Sequence, residues 1–174
     1  MTETQRLFCA VRGHPIELRP ITPADRTFLC SVYAGTREEE LAQVQWSAAQ
    51  KAAFLAMQFD AQHAHYQQHY SDASFDLLLL EGQPIGRLYV ARHSSEIRIV
   101  DIALLPTYRS QGIGSAILSR LLAEEARKAL PVTIHVERFN RALRLYERLG
   151  FRQIEDKGVY LLLECSPRKV HNAE

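Results

Sequence analysis

The chain has 174 residues, within the span of one folded domain, and its 47% hydrophobic and 24% charged residues are a globular balance that excludes a disordered or fibrous chain. A formal net charge of +1 provides no chain-wide attraction for nucleic acid or an anionic membrane, and no apolar run approaches the roughly 20 residues needed to span a bilayer. Cys9, Cys30 and Cys165 stand far apart in no metal-ligand spacing, and residues 1–12 lack the apolar run of a signal peptide, so a reducing cytoplasm is the expected location and a disulfide framework is not.

No repeat, low-complexity stretch or linker-like change of composition interrupts the sequence, which predicts a single domain over 1–174 with its core over about 16–164. Residues 16–19 read as a short strand. Thr22-Pro23 has the pattern of an N-cap followed by proline at the first helical position, with Asp25 in the first turn. That helix is expected to reach about Tyr33 and stop near Gly35, leaving at most a helical turn in the polar residues 36–43. Ser47 can cap a long helix to about Tyr70, in which Ala52, Leu55, Ala56 and Phe59 share one face. Two strands over 75–81 and 84–92 follow, joined by a turn at Glu81-Gly82-Gln83, and a third over 96–104.

After Pro106 the period changes to that of a helix over about 112–129, with Ile113, Ile117 and Leu121 in one apolar row and Arg120, Glu124, Arg127 and Lys128 on the wet side. Pro131 ends it. A strand over 132–136, a second helix capped by Asn140 and closed by Gly150, and a hairpin of strands over 151–155 and 159–164 complete the order, with a polar, frayed tail from Ser166. The fold class is therefore α/β of the α+β type. Adjacent strands followed by alternation predict a mixed, mostly antiparallel twisted sheet of about six to seven strands flanked by helices.

The segment Ile102-Ala103-Leu104-Leu105-Pro106-Thr107-Tyr108-Arg109-Ser110-Gln111-Gly112-Ile113-Gly114-Ser115 runs from a strand through a tight loop into an amphipathic helix. Glycines at 112 and 114 let the backbone approach an anion, and the first turn of a helix offers unpaired N–H donors at the positive end of its dipole. Together these form a seat for a pyrophosphate, to which Arg109 can add a formal charge. Alternatively, the glycines serve only the turn and helix packing. A dinucleotide fingerprint is excluded because isoleucine stands at position 117, and the G-x-x-x-x-G-K-[ST] loop is absent.

Arg109, Gly112 and Gly114 fill the pattern R/Q-x-x-G-x-G/A, and Asn140, Ala142, Tyr146, Gly150 and Phe151 follow in a segment that resembles the second signature of the GNAT superfamily of acetyl-CoA-dependent N-acetyltransferases. The resemblance covers about 75–164. It implies a sheet splayed at a cofactor cleft, with acetyl-CoA between the strand ending at Leu104 and the strand starting near Val132. Backbone groups of Ile102, Ala103 and Leu104 would pair with the pantetheine arm, the N–H groups of Gln111, Gly112, Ile113, Gly114 and Ser115 would cradle the pyrophosphate, and Asn140 would lie near the pantetheine. A backbone N–H around Ala103 would receive the charge that develops on the thioester oxygen. Tyr146 would protonate the leaving sulfur; on the residues alone it reads as a core tyrosine, on the helix face of Ala142, Leu145 and Leu149.

The general base is open. Many relatives carry a carboxylate eleven residues before the motif arginine, where this chain has Arg98. Asp101 and Glu96 are the nearby candidates; Asp101, which interrupts an apolar strand, can instead be half of an ion pair with Arg98 or Arg87. The expected acceptor is a small-molecule amine or the amine of a peptide or protein, bound among residues 33–70, where Phe59, His63, Tyr66 and Tyr70 form a stripe. A pocket lined by Glu38, Glu39 and Glu40 would favour a cationic amine, although a solvated face explains the same run. His65 and His69 lack a third ligand, so no metal is expected. A homodimer is an expectation drawn from relatives alone, and a non-catalytic acyl-CoA-binding or regulatory module is the alternative function.

Overall fold

The computed structural model describes residues 5–166. Strands β1 (Arg6–Val11) and β2 (His14–Pro20) precede helices α1 (Arg26–Ala42) and α2 (Ala48–His69). Strands β3 (Ser74–Leu80), β4 (Gln83–Arg92) and β5 (Ile97–Leu104) follow, then α3 (Ile113–Lys128), β6 (Val132–Glu137), α4 (Leu143–Arg148), β7 (Arg152–Asp156) and β8 (Tyr160–Cys165). The expected frayed tail lies outside the described residues beyond Ser166. No described helix is long and apolar enough to cross a membrane.

Two elements differ from the expectation. The sheet has eight strands, because the mixed polar and apolar residues of β1 pair with β2 as a hairpin about Arg12-Gly13. Helix α1 does not stop near Gly35 but runs through it to Ala42. Glycine inside a helix costs about 1 kcal/mol relative to alanine, yet a Cβ here would lie 2.9 Å from Pro106 Cδ. The missing side chain thus lets α1 close onto the loop after β5, and the buried Leu41 holds the helix's last turn.

The strand order is β1-β2-β3-β4-β5-β6-β8-β7, with every neighbouring pair antiparallel except β5 and β6. Alternating side chains send Leu77 and Leu79 of β3 to one face, where they pack with Leu29 and Tyr33 of α1 and Phe59 of α2. Leu78 joins the larger cluster that contains Val90, Ile99, Ile134, Val136 and the α3 row Ile113, Ile117, Leu118 and Leu121. Helices α1 and α2 therefore cover one face and α3 with α4 the other. Ser47 caps α2 by accepting from Gln50 N at 3.1 Å, as its sequence predicts.

Among the described residues four bulges shape the sheet, one extra residue each at Phe8 in β1, Ile85 in β4, Val100 in β5 and Ile154 in β7. The bulge at Val100 coincides with the end of the β5–β6 pairing, whose last pair is Ile99 with Ile134. Beyond it the two strands diverge, so residues 100–104 have β4 on one side and no strand on the other. Gly86 of β4 lies against this stretch, where a Cβ would come within 2.3 Å of the Ala103 carbonyl oxygen. Gly86→Ala is expected to push β4 from β5 and to lower stability by about 2 kcal/mol, the usual range for overpacking. Urea denaturation would measure this loss.

Candidate active site

The loop between β5 and α3 is a short helical turn over Pro106–Tyr108 followed by residues held at positive φ, Ser110 at 58° and Gly112 at 84°. At Gly112 a Cβ would meet nothing within 4 Å, so conformation rather than crowding reserves the position for glycine. The first helical bond of α3 runs from Ala116 N to Gly112 O at 3.0 Å. The N–H groups of Ile113, Gly114 and Ser115 precede it and have no partner within the helix. With open space above Gly112, this cradle fits an anion of pyrophosphate type. Gln111 is exposed and its amide donates to Thr107 O at 2.7 Å, which ties the loop across itself.

Arg109 stands differently from the expectation. Its Nε donates to Leu104 O at 3.1 Å and its Nη2 to Gly35 O at 3.0 Å. These donors fold the loop and fasten α1 to it, and the guanidinium's charge rather than these N–H groups remains for the anion seat. Ile102, Ala103 and Leu104 are half-buried along the unpartnered edge of β5. Asn140 lies exposed in the loop after β6, where its Oδ1 accepts from Ala142 N at 2.8 Å in a local turn; it is not the expected cap, because α4 begins at Leu143 with Ala142 at its N-cap.

Tyr146 is buried on α4 with the edge of its ring against Phe151 at 5.5 Å. Burial, with the negative charge of Asp101 adding to it, pushes its phenol well above the ordinary tyrosine range. Such a group holds its proton at any working pH, which suits a donor and excludes a base. Its ring is part of the core and its hydroxyl lies close enough to Asp101 to feel that charge.

On the opposite face, next to the bulge, Asp101 is held by Arg87, whose Nη2 and Nε donate at 2.9 and 3.3 Å, and by the hydroxyl of Tyr66 at 2.9 Å. The same Arg87 Nη2 donates to Gln62 at 2.8 Å. Arg87 is 2% exposed, so the bland alternative for Asp101, an ion pair, is present. Glu96 is placed apart. It lies before β5 and accepts from Arg98 Nη2 at 3.1 Å and Thr133 Oγ1 at 2.5 Å. Burial opposes the charge on Glu96, but the Thr133 and Arg98 contacts win and bring its carboxyl below the usual range. Five residues of strand, about 16 Å, separate it from Asp101, at the closed end of the β5–β6 pair. Geometry thus removes Glu96 from the cleft.

Arg98, where relatives carry a carboxylate, also meets His135 Nδ1 at 3.2 Å, and burial with the Arg98 and Lys157 charges lowers that imidazole's pKa. The Phe59–His63–Tyr66–Tyr70 stripe packs largely inward, with Phe59 on Tyr33 and His63 and with Tyr66 against Tyr89 and Tyr70. Glu39 and Glu40 pair with Arg141 and Arg37, so neither is a free anion lining a pocket. Among the described residues no three ligand-type side chains converge on a metal site. Sequence reading missed Tyr66 as the partner of Asp101 and the bulge at Val100; the helical stripe signalled the first, and nothing local signals the second.

Residues 72–153 match the family model described as an acetyltransferase (GNAT) domain. The match covers just under half of the chain. The [ribosomal protein bS18]-alanine N-acetyltransferase of Haemophilus influenzae is 30% identical over 84 residues, which are 48% of this chain and 58% of that enzyme. The match thus spans under two-thirds of the relative's length. PaiA N-acetyltransferase from Thermoplasma acidophilum, solved in complex with coenzyme A, superposes with a TM-score of 0.65 at 18% identity, over 87% of this chain and 98% of that one. The ribosomal L7/L12 α-N-protein acetyltransferase RimL, solved without ligand, gives 0.61 at 16% identity, over 94% of both chains. The mixed sheet and its flanking helices are therefore those of GNAT structures. The matched residues contain the β5–loop–α3 segment, the parted strands and α4.

Two expected outcomes follow from this geometry. Asp101→Asn leaves the buried Arg87 charge without its partner and is expected to lower stability by about 3 kcal/mol, as breaking buried ion pairs does; chemical denaturation checks it. Asparagine tolerates positive φ, whereas aspartate at the same size adds a negative charge. Gly112→Asp is therefore expected to weaken coenzyme A binding at least about tenfold more than Gly112→Asn, as measured by calorimetry. Equal affinities would show that no anion sits at Gly112.

Proposed function

We propose that the chain, as a single cytoplasmic domain, transfers an acetyl group from acetyl-CoA to a primary amine by direct attack of the amine on the thioester. The observation that supports this reading is a strand edge left unpaired beyond Ile99 that leads into an open helix N-terminus, with a buried tyrosine on α4 close enough to Asp101 to feel its charge. The bound cosubstrate supplies the activated acyl group. The N–H groups of residues 111–115 hold its pyrophosphate, with Arg109 contributing charge, and the edge of residues 102–104 pairs with its pantetheine arm beside Asn140. A backbone N–H at the parting of β5, within residues 100–103, faces the thioester oxygen, where a preorganised donor has most effect. Tyr146 gives its proton to the leaving sulfur.

Asp101 is occupied by Arg87 and Tyr66, and Glu96 is remote, which supports proton loss from the amine to water rather than to a side chain. An α-amine, with a pKa near 8, is about a tenth neutral at pH 7, whereas an alkylamine of pKa about 10.4 is neutral in fewer than about one molecule in a thousand. That difference favours a peptide or protein α-amine as acceptor, in keeping with the activities of the H. influenzae enzyme and RimL. The occupied carboxylates also favour a second reading, an acyl-CoA-binding module without turnover.

Thiol release from acetyl-CoA in the presence of peptides with free N-termini, against N-blocked peptides, polyamines and aminoglycosides, separates the two. Release with free N-termini is the expected result. Stabilisation by coenzyme A without release from any acceptor would favour the binding module. Tyr146→Phe is expected to lower kcat about a hundredfold with little change in coenzyme A affinity, and unchanged turnover would return the residue to the core alone.

A further inference from the structure

The second half of α1 joins the two walls of the cleft. At Gly35 the helix touches Pro106 and accepts from Arg109, on the wall built from β4, β5 and the phosphate loop. Two residues on, Arg37 reaches the other wall, its Nη2 and Nη1 donating to the two carboxylate oxygens of Glu137 at 2.8 and 3.4 Å. Nη1 also donates to Glu40 at 2.9 Å, and the guanidinium lies 5.6 Å from the centre of the Tyr33 ring. Glu39 of the same turn pairs with Arg141, in the loop after β6. Glu137 is the last residue of β6 as Leu104 is of β5, and these parallel strands stop pairing at Ile99 and Ile134. Arg37 therefore spans the cleft at its wide end.

The chemistry of the contact suits a closure that opens. The Arg37 side chain is 22% exposed and that of Glu137 36%, so the pair is neither buried like Arg87–Asp101 nor loose on the surface. A planar two-point guanidinium–carboxylate contact fixes geometry as well as distance. The flanking Glu39–Arg141 pair has the opposite polarity but is exposed, so the contact that holds α1 to β6 is Arg37 with Glu137.

We propose that Arg37 and Glu137 form a clasp that closes the wide end of the cleft over the pantetheine arm, so that coenzyme A leaves only when the pair opens. This rests on the reading that the cofactor lies between β5 and β6. Arg37 is a positioning residue here; it holds α1 to Glu137 and leaves the chemistry to the cleft.

The test is the dissociation rate of coenzyme A from the immobilised full chain, for the wild type, Arg37→Gln, Glu137→Gln and the exchanged pair Arg37→Glu with Glu137→Arg. Thermal melting of each variant without ligand separates a general loss of folding from a specific effect. Each single variant is expected to release coenzyme A about tenfold faster while its apo melting temperature changes little, and the exchanged pair is expected to restore slow release. Unchanged dissociation rates overturn the clasp, as do faster rates that track the loss of apo stability or that the exchanged pair leaves uncorrected. Failure of the wild type to bind coenzyme A at all overturns the acetyltransferase reading and the clasp with it, an outcome distinct from normal binding with unaffected variants.

Discussion

A parallel pair of strands ordinarily stays paired until one of them ends, because each buried backbone N–H or C=O without a partner costs about 1–3 kcal/mol. Here β5 and β6 part after Ile99 and Ile134, with residues 100–104 of one strand and 135–137 of the other still to come. The bulge at Val100 makes the separation possible by turning the β5 edge away while keeping its other edge bonded to β4. Every feature of the cleft depends on that parting. It exposes a strand edge in the middle of the sheet, it brings the loop after Leu104 to the open end, and it leaves room between the faces for Tyr146 on one side and Asp101 on the other. The fold thus tolerates an unfinished ladder that a strand-like ligand would complete.

Paired charges organise the other face. Arg87–Asp101 lies beneath α2, Arg98–Glu96 closes the narrow end, and Arg37–Glu137 spans the wide end. Their exposure grades from the buried Arg87 to the half-exposed Glu137. Buried pairs of this kind fix geometry more reliably than they add stability, and here Arg87 sets the position of Asp101 and, through it, of Tyr66. This face presents paired carboxylates and tyrosine rings rather than a field of one sign.

Much of the β5–loop–α3 segment was legible in the sequence because its requirements are local. Strand, tight loop and helix follow from period and glycine placement over 102–118, and positive φ at Gly112 is the kind of constraint a single residue announces. The eight-stranded sheet and the length of α1 were less legible. Gly35 reads as a helix stop by propensity; only the contact with Pro106, distant in sequence, explains a glycine there. The bulge at Val100 leaves no trace in Ile97-Arg98-Ile99-Val100-Asp101, because any of these residues can occupy one. The carboxylates show the same limit: sequence nominates both Glu96 and Asp101, and only the register of β5 against β6 puts one at the closed end and the other beside the opening.

The bulges at Phe8 and Ile154 fall in β1 and β7, the two strands that end the sheet. An extra residue twists an edge and breaks its straight row of donors and acceptors, and Arg152, Glu155 and Asp156 add charge to β7. Neither margin is a good template for the growth of sheet from one molecule to the next. The same device, one additional residue in a strand, therefore has opposite results by location. At the rim it guards against aggregation, and at Val100 it opens the interior of the sheet to a guest.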